Sequence, residues 1–166
     1  LLTGCQGKEV NANNEPAYTG AFATLDVNVR KELIACDIDQ TEFDRLLALP
    51  VDKFDQDRSG GWRVTGYKER CRNAAAELIK TYMLYSHPLP PEEPGMLRWH
   101  AGQMKAYAGN YDEAVLFFRG TYQSPDDHGE DWNYYVDATV AFLEGDRDAL
   151  QGAYDGLASI EISDSH

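Results

Sequence analysis

The stretch that most constrains the fold is Gly109-Asn110-Tyr111-Asp112-Glu113-Ala114, with Phe118 four residues after the alanine. It reads as the tight turn and second helix of a helical hairpin. A partial echo follows at Gly145-Asp146-Arg147-Asp148-Ala149. Gly109 and Gly145 are 36 residues apart, Ala114 and Ala149 are 35 apart, and Trp99 and Trp132 are 33 apart. One hairpin cannot bury its apolar face alone, so a chain that repeats it stacks the units and presents a surface rather than a reaction centre.

The rest of the chain is read around that rhythm. Residues 24–36 are expected to be helical from Val29, Leu33, Ile34 and Cys36, although Leu25, Val27 and Val29 also alternate as in a strand. Residues 39–49 give a clearer helix, capped by Asp39 or Thr41 and ended by Pro50. Asp55 to Gly60 resembles the opening of a calcium loop, but Gly66 stands where the bidentate Glu is required, so a solvated turn is expected. A long helix is expected within 62–86, with Ala74-Ala75-Ala76 permitting close approach of a neighbour. The prolines from Pro88 to Pro94 break it. Four helices follow: from Met96 to Ala108, from Tyr111 to Tyr122, from Trp132 to Leu143, and from Asp146 to about Ala158. The chain is therefore expected to be all-α, a stack of antiparallel hairpins preceded by extra N-terminal helices. Its divisions are a start and tether over 1–23, one helical-repeat domain over 24–160, and a tail over 161–166.

Net charge is −13 at 43% apolar residues. The apolar share suits a folded domain. The charge excludes nucleic acid as the expected partner, because such a binder needs a cationic face to displace counterions. It favours a basic partner. The chain opens without a methionine, as expected of a piece of a longer precursor. Leu2-Thr3-Gly4-Cys5 resembles the lipobox of bacterial lipoproteins, with Cys5 as the lipidated residue. Gln6 to Gly20 is polar and aperiodic, as a tether would be. The expected location is the periplasmic face of a membrane, held only through a lipid on Cys5; a cytoplasmic protein with an irregular N-terminus is the alternative. Cys36 and Cys71 have no zinc-site spacing; they form either a disulfide or two buried free thiols.

From about Trp62 to Ala158 the chain resembles the tetratricopeptide-repeat superfamily, whose period is about 34 residues. Ala101-Gly102 sits where the repeat has its Leu-Gly pair. Ala114 and Phe118 match the second-helix spacing, and Pro125 lies near the terminal proline. Small residues at Gly102 and Ala114 let paired helices touch, while Tyr111 and Phe118 fill the seam. Lys105 departs from the pattern, standing in place of a tyrosine. Trp99-His100-Ala101-Gly102-Gln103 and the run from Trp132 to Thr139 are also similar to bacterial lipoproteins of this kind, a similarity that implies no particular activity.

In such repeats the first helix of each hairpin lines a concave groove. The resemblance places Met96, Trp99, Gln103 and Ala106 there from one unit, and Trp132, Tyr135, Thr139 and Phe142 from the next. These residues suit a peptide groove, and they equally suit a core. No nucleophile elbow, zinc-protease motif, phosphate loop or dinucleotide fingerprint is present in the sequence. The four histidines, His87, His100, His128 and His166, are scattered. The expectation is a non-catalytic protein- or peptide-binding scaffold with no cofactor, no metal and no catalytic residue. One alternative is a small-ligand protein or enzyme with a pocket around His100, Gln103, Asn133 and Asp137. The other is a structural subunit of an envelope assembly.

Overall fold

A computed structural model describes residues 17–86, 89–90, 93–124 and 129–160. Cys5, most of the expected tether, His87, His128, His166, Pro125 and the 161–166 tail lie outside the described residues. Those described are all-helical, with no strand among them. The helices are α1 (Gly20–Thr24), α2 (Val27–Ala35), α3 (Gln40–Leu47), α4 (Arg63–Gly66), α5 (Arg72–Tyr85), α6 (Glu93–Tyr107), α7 (Tyr111–Arg119), α8 (Glu130–Glu144) and α9 (Arg147–Ser159). A π-helical turn, Asp52–Gln56, precedes α4, and a 3₁₀ turn, Glu69–Cys71, leads into α5.

The N-terminal part departs from expectation in three places. The helix expected over 24–36 is α2 and starts later, at Val27, because Leu25 is extended and the Asp26 side chain caps it by accepting from the Asn28 amide at 2.8 Å; a separate short helix, α1, precedes it. Residues 20–23, assigned to the tether, fold into α1 instead. Phe22 is fully buried, with its ring centroid 5.0 Å from that of Phe43 and 5.1 Å from that of Tyr18. The long helix expected over 62–86 is interrupted at the extended Lys68, so only α5 is a full helix. Helix α3 starts as read, with Asp39 accepting from the Glu42 amide at 3.0 Å.

Cys36 and Cys71 are joined in a disulfide, with Cα atoms 5.7 Å apart. It ties the end of α2 to the start of α5. Helix α5 is the centre of the N-terminal core: Ala74, Ala75, Ala76, Leu78 and Ile79 are all buried, and α2, α4 and α6 pack against it. Phe54 from the π-helical turn stacks on Tyr82 at 3.7 Å between centroids, and the Tyr82 hydroxyl donates to the Leu49 carbonyl at 2.7 Å.

Beyond α5 each helix packs on the next, α6 on α7, α7 on α8 and α8 on α9. The two glycine turns have a backbone cause. Gly109 (φ 82°) and Gly145 (φ 72°) are left-handed, a region costly for other residues. The Asp146 carboxylate caps α9 by accepting from the amides of Asp148 and Ala149. At Gly102 an added Cβ would lie 2.8 Å from the Phe118 ring, so α6 and α7 meet there because the position is glycine. Ala114 is fully buried opposite, whereas Tyr111 is half exposed and does not fill the seam as expected.

Lys105, expected to be an anomaly, has a structural task of its own. It is 2% exposed, and its ammonium reaches Glu77 on α5 at 2.6 Å, Asn73 on α5 at 2.8 Å and Glu113 on α7 at 2.8 Å. Asn110, in the turn, donates to the same Asn73 oxygen at 2.9 Å. One buried cation thus fixes three successive helices, a task tyrosine has too few donors to perform.

Candidate aromatic face on α6 and α8

Met96, Trp99, Gln103 and Ala106 are spaced three, four and three residues apart on α6; Trp132, Tyr135, Thr139 and Phe142 are spaced identically on α8. Each set therefore runs along one side of its helix. The rings bring the two stripes together. The Trp99 centroid is 4.8 Å from that of Trp132, 5.2 Å from that of Tyr135 and 4.6 Å from that of Phe118 on α7. Trp132 and Tyr135 are 5.9 Å apart. The Trp132 indole donates to the Thr121 carbonyl at 2.8 Å, which fixes how its ring lies.

The eight residues are not equivalent. Trp99 is buried in a second core cluster with Phe118, Val136 and Val140, so it is a floor rather than a contact surface. Ala106 and Trp132 are half-buried against that cluster. Gln103 and Thr139 are half-buried, and the Thr139 hydroxyl donates back to the Tyr135 carbonyl at 2.9 Å. Met96 and Tyr135 are exposed, and Phe142 is 70% exposed. A phenylalanine ring left 70% in water, on the stripe that continues about two turns past Tyr135, is the least explained feature of this face by folding alone.

The four residues of the alternative pocket serve different clusters. Asn133 clamps the α7–α8 connection, bonding both the amide and the carbonyl of Gln123 at 2.8 and 2.9 Å. Asp137 accepts from the Tyr122 hydroxyl. His100 turns the other way, its Nδ1 2.8 Å from the Asp55 carboxylate. Gln103 stays on the α6 stripe.

Asp55 itself corrects the expected solvated turn. Its side chain is fully buried, and one carboxylate oxygen accepts from both His100 and the Trp62 indole (2.7 Å), the other from Gln56. The Arg63 guanidinium lies 4.0 Å from the carboxylate, bonds the Asp55 carbonyl and covers the Trp62 ring at 4.7 Å. Burial alone would raise the Asp55 carboxyl, but the His100 and Trp62 hydrogen bonds and the neighbouring positive charge outweigh it and hold its pKa below the usual value. A buried carboxylate saturated by protein donors fixes the π-helical turn onto α6. Sequence offered no sign of it, since the partners are 7 and 45 residues away.

Among the described residues no group of three or more His, Cys, Asp or Glu is arranged to hold a metal, and no helix is long and apolar enough to cross a membrane. A scan against protein-family models, a search of curated proteins and a search of solved structures each found no match.

Proposed function

We propose that this chain is a non-catalytic scaffold that binds a protein or peptide along the paired stripes of α6 and α8. In this reading α6–α7 and α8–α9 are two stacked hairpins of a tetratricopeptide-like α-solenoid, and α6 and α8 are its groove-lining helices. The carrying observation is Tyr135, exposed against the Trp99–Trp132 floor, with Phe142 exposed on the same stripe about two turns further along α8. Covering a phenylalanine ring that is 70% exposed stabilises a complex by roughly 1–2 kcal/mol, enough to make it an anchor. A net charge of −13 supports a basic partner, drawn in by long-range attraction and held by apolar contact. The buried Cys36–Cys71 disulfide supports an oxidising, exported setting, in keeping with a lipid-anchored protein of a bacterial envelope.

Selection of a random peptide library on the folded protein tests this reading. Enriched sequences should be basic and aliphatic or aromatic, and they should lose binding to a Tyr135→Ser, Phe142→Ser variant with an unchanged melting temperature. Failure to enrich any peptide, or equal binding to that variant, refutes the site.

A further inference from the structure

The opposite side of α8 carries a second feature. At 3.6 residues per turn, Tyr134, Asp137, Val140, Ala141 and Glu144 face away from the aromatic stripe. Together with Arg119 and Tyr122 at the end of α7, and with Ala149, Gly152 and Ala153 on α9, they enclose a cleft of about 380 Å³.

The cleft has a definite chemistry. Its floor is apolar: Val140, Ala141 and Ala153 are buried. It stays open because α9 is narrow there. A Cβ added to Gly152 would meet nothing within 4 Å, whereas one added to Gly156 would run into the Tyr134 ring, which closes that end. Two carboxylates border it. Glu144 is paired with Arg119 at 2.9 Å, and Asp137 accepts a hydrogen bond from the Tyr122 hydroxyl. Partial burial and the Asp137 carboxylate push that hydroxyl up to about 12, so it remains a donor at neutral pH. Two carboxylates against one guanidinium leave the cleft net negative, with tyrosine rings on its walls. That combination, apolar floor, aromatic wall and uncompensated carboxylate, selects a positive head group on a short hydrocarbon stem. An anion would meet Asp137 and Glu144 and would have to draw Arg119 from its partner.

We propose that the cleft between α7, α8 and α9 binds a small organic cation of the alkylguanidinium or alkylammonium class, its head group at Asp137 and its stem over Gly152 and Ala153. The site lies on the other side of α8 from the aromatic face, so it stands or falls separately from the peptide-binding reading.

Calorimetric or NMR titration with n-butylguanidinium chloride tests it, with n-butylurea as the uncharged analogue of the same shape. Saturable binding of one butylguanidinium per chain, centred on Tyr134, Asp137 and Gly152, is expected, with no binding of butylurea. Asp137→Asn, an exposed change, should weaken it by about tenfold or more. Gly152→Met, which projects a flexible side chain into the open floor and favours helix, should abolish it while the protein melts no lower than wild type. Non-saturable uptake, equal binding of butylurea, or wild-type affinity in both variants would mean that the acidic surface merely collects cations, and would overturn the site.

Discussion

Replacing Lys105 by methionine should destabilise the protein far more than loss of one side-chain charge at a surface would. The ammonium supplies three hydrogen bonds to Glu77, Asn73 and Glu113. Glu113 is half exposed and can rehydrate. Glu77 cannot, since its side chain is 9% exposed; its remaining cation, Lys80, is 3.1 Å away and half in water. Stranding a buried carboxylate costs about 3–5 kcal/mol, and the Lys80 contact places this case near about 3 kcal/mol. For a chain of this size that is a fall in Tm of roughly 6–12 °C. Chemical and thermal denaturation followed by circular dichroism reads both numbers.

The pH dependence gives a second, independent readout. Burial would raise the Glu77 carboxyl, but the bond and charge of Lys105, aided by Lys80, hold it below its ordinary 4.5. Burial would lower the Lys105 ammonium, but its bonds to Glu113 and Glu77 hold it above 10.5. A lowered acid stabilises above its unfolded pKa and loses that gain as pH falls through the folded one. A raised base stabilises below its unfolded pKa and loses the gain as pH rises through the folded one. The wild-type contribution is thus whole between about 4.5 and 10.5. In Lys105→Met, burial of Glu77 goes largely unopposed, so protonating it relieves the variant. The gap to wild type should narrow as pH is lowered from 7 toward 4.5. A variant within about 0.5 kcal/mol of wild type, the range of ordinary surface changes, would refute this reasoning, as would a gap that does not change with pH.

Reducing the Cys36–Cys71 disulfide, or replacing both cysteines by serine, should cost about 3–4 kcal/mol for a loop of this length, read as a lower denaturation midpoint in guanidinium. Gly102→Ala should destabilise by about 1–3 kcal/mol through overlap with Phe118, whereas Gly152→Ala, which meets nothing, should stabilise by about 0.5–1 kcal/mol; paired thermal melts check the contrast in sign. The lowered Asp55 carboxyl stabilises above the ordinary 3.8 and loses that gain as pH falls through its folded value. Acid unfolding of Asp55→Asn should therefore show a shallower dependence on pH than wild type.

Local grammar made the C-terminal helices legible. Gly109 and Gly145 mark turns that need positive φ, Asp146 is a cap, and Gly102 opposite Phe118 fixes a close approach. The turns and the cap are written within a few residues of where they act, and Gly102 meets Phe118 on the very next helix. The N-terminal part was misread where tertiary contacts decide. Nothing near Phe22 announces that Phe43 will cover it, and the break at Lys68 interrupts an apolar period that runs on through it. Asp55 looked like a solvated turn because its buried partners, Trp62 and His100, lie on other elements. The aromatic stripes were readable as stripes, since helical spacing is a sequence property. Which member becomes floor and which remains in water was not: Trp99 and Phe142 are both large and apolar, and only the packing of Phe118 and Val136 over α6 separates them.

The three tryptophans allow the most direct test of the proposed face, because Trp99 and Trp132 form its floor while Trp62 sits apart beside Asp55. Protein labelled with 5-fluorotryptophan gives three fluorine resonances, assigned by single Trp→Phe changes. On saturation with a peptide selected on the folded protein, the Trp99 and Trp132 resonances should move and that of Trp62 should stay. Movement of Trp62 alone, or three unmoved signals at saturation, would contradict the account.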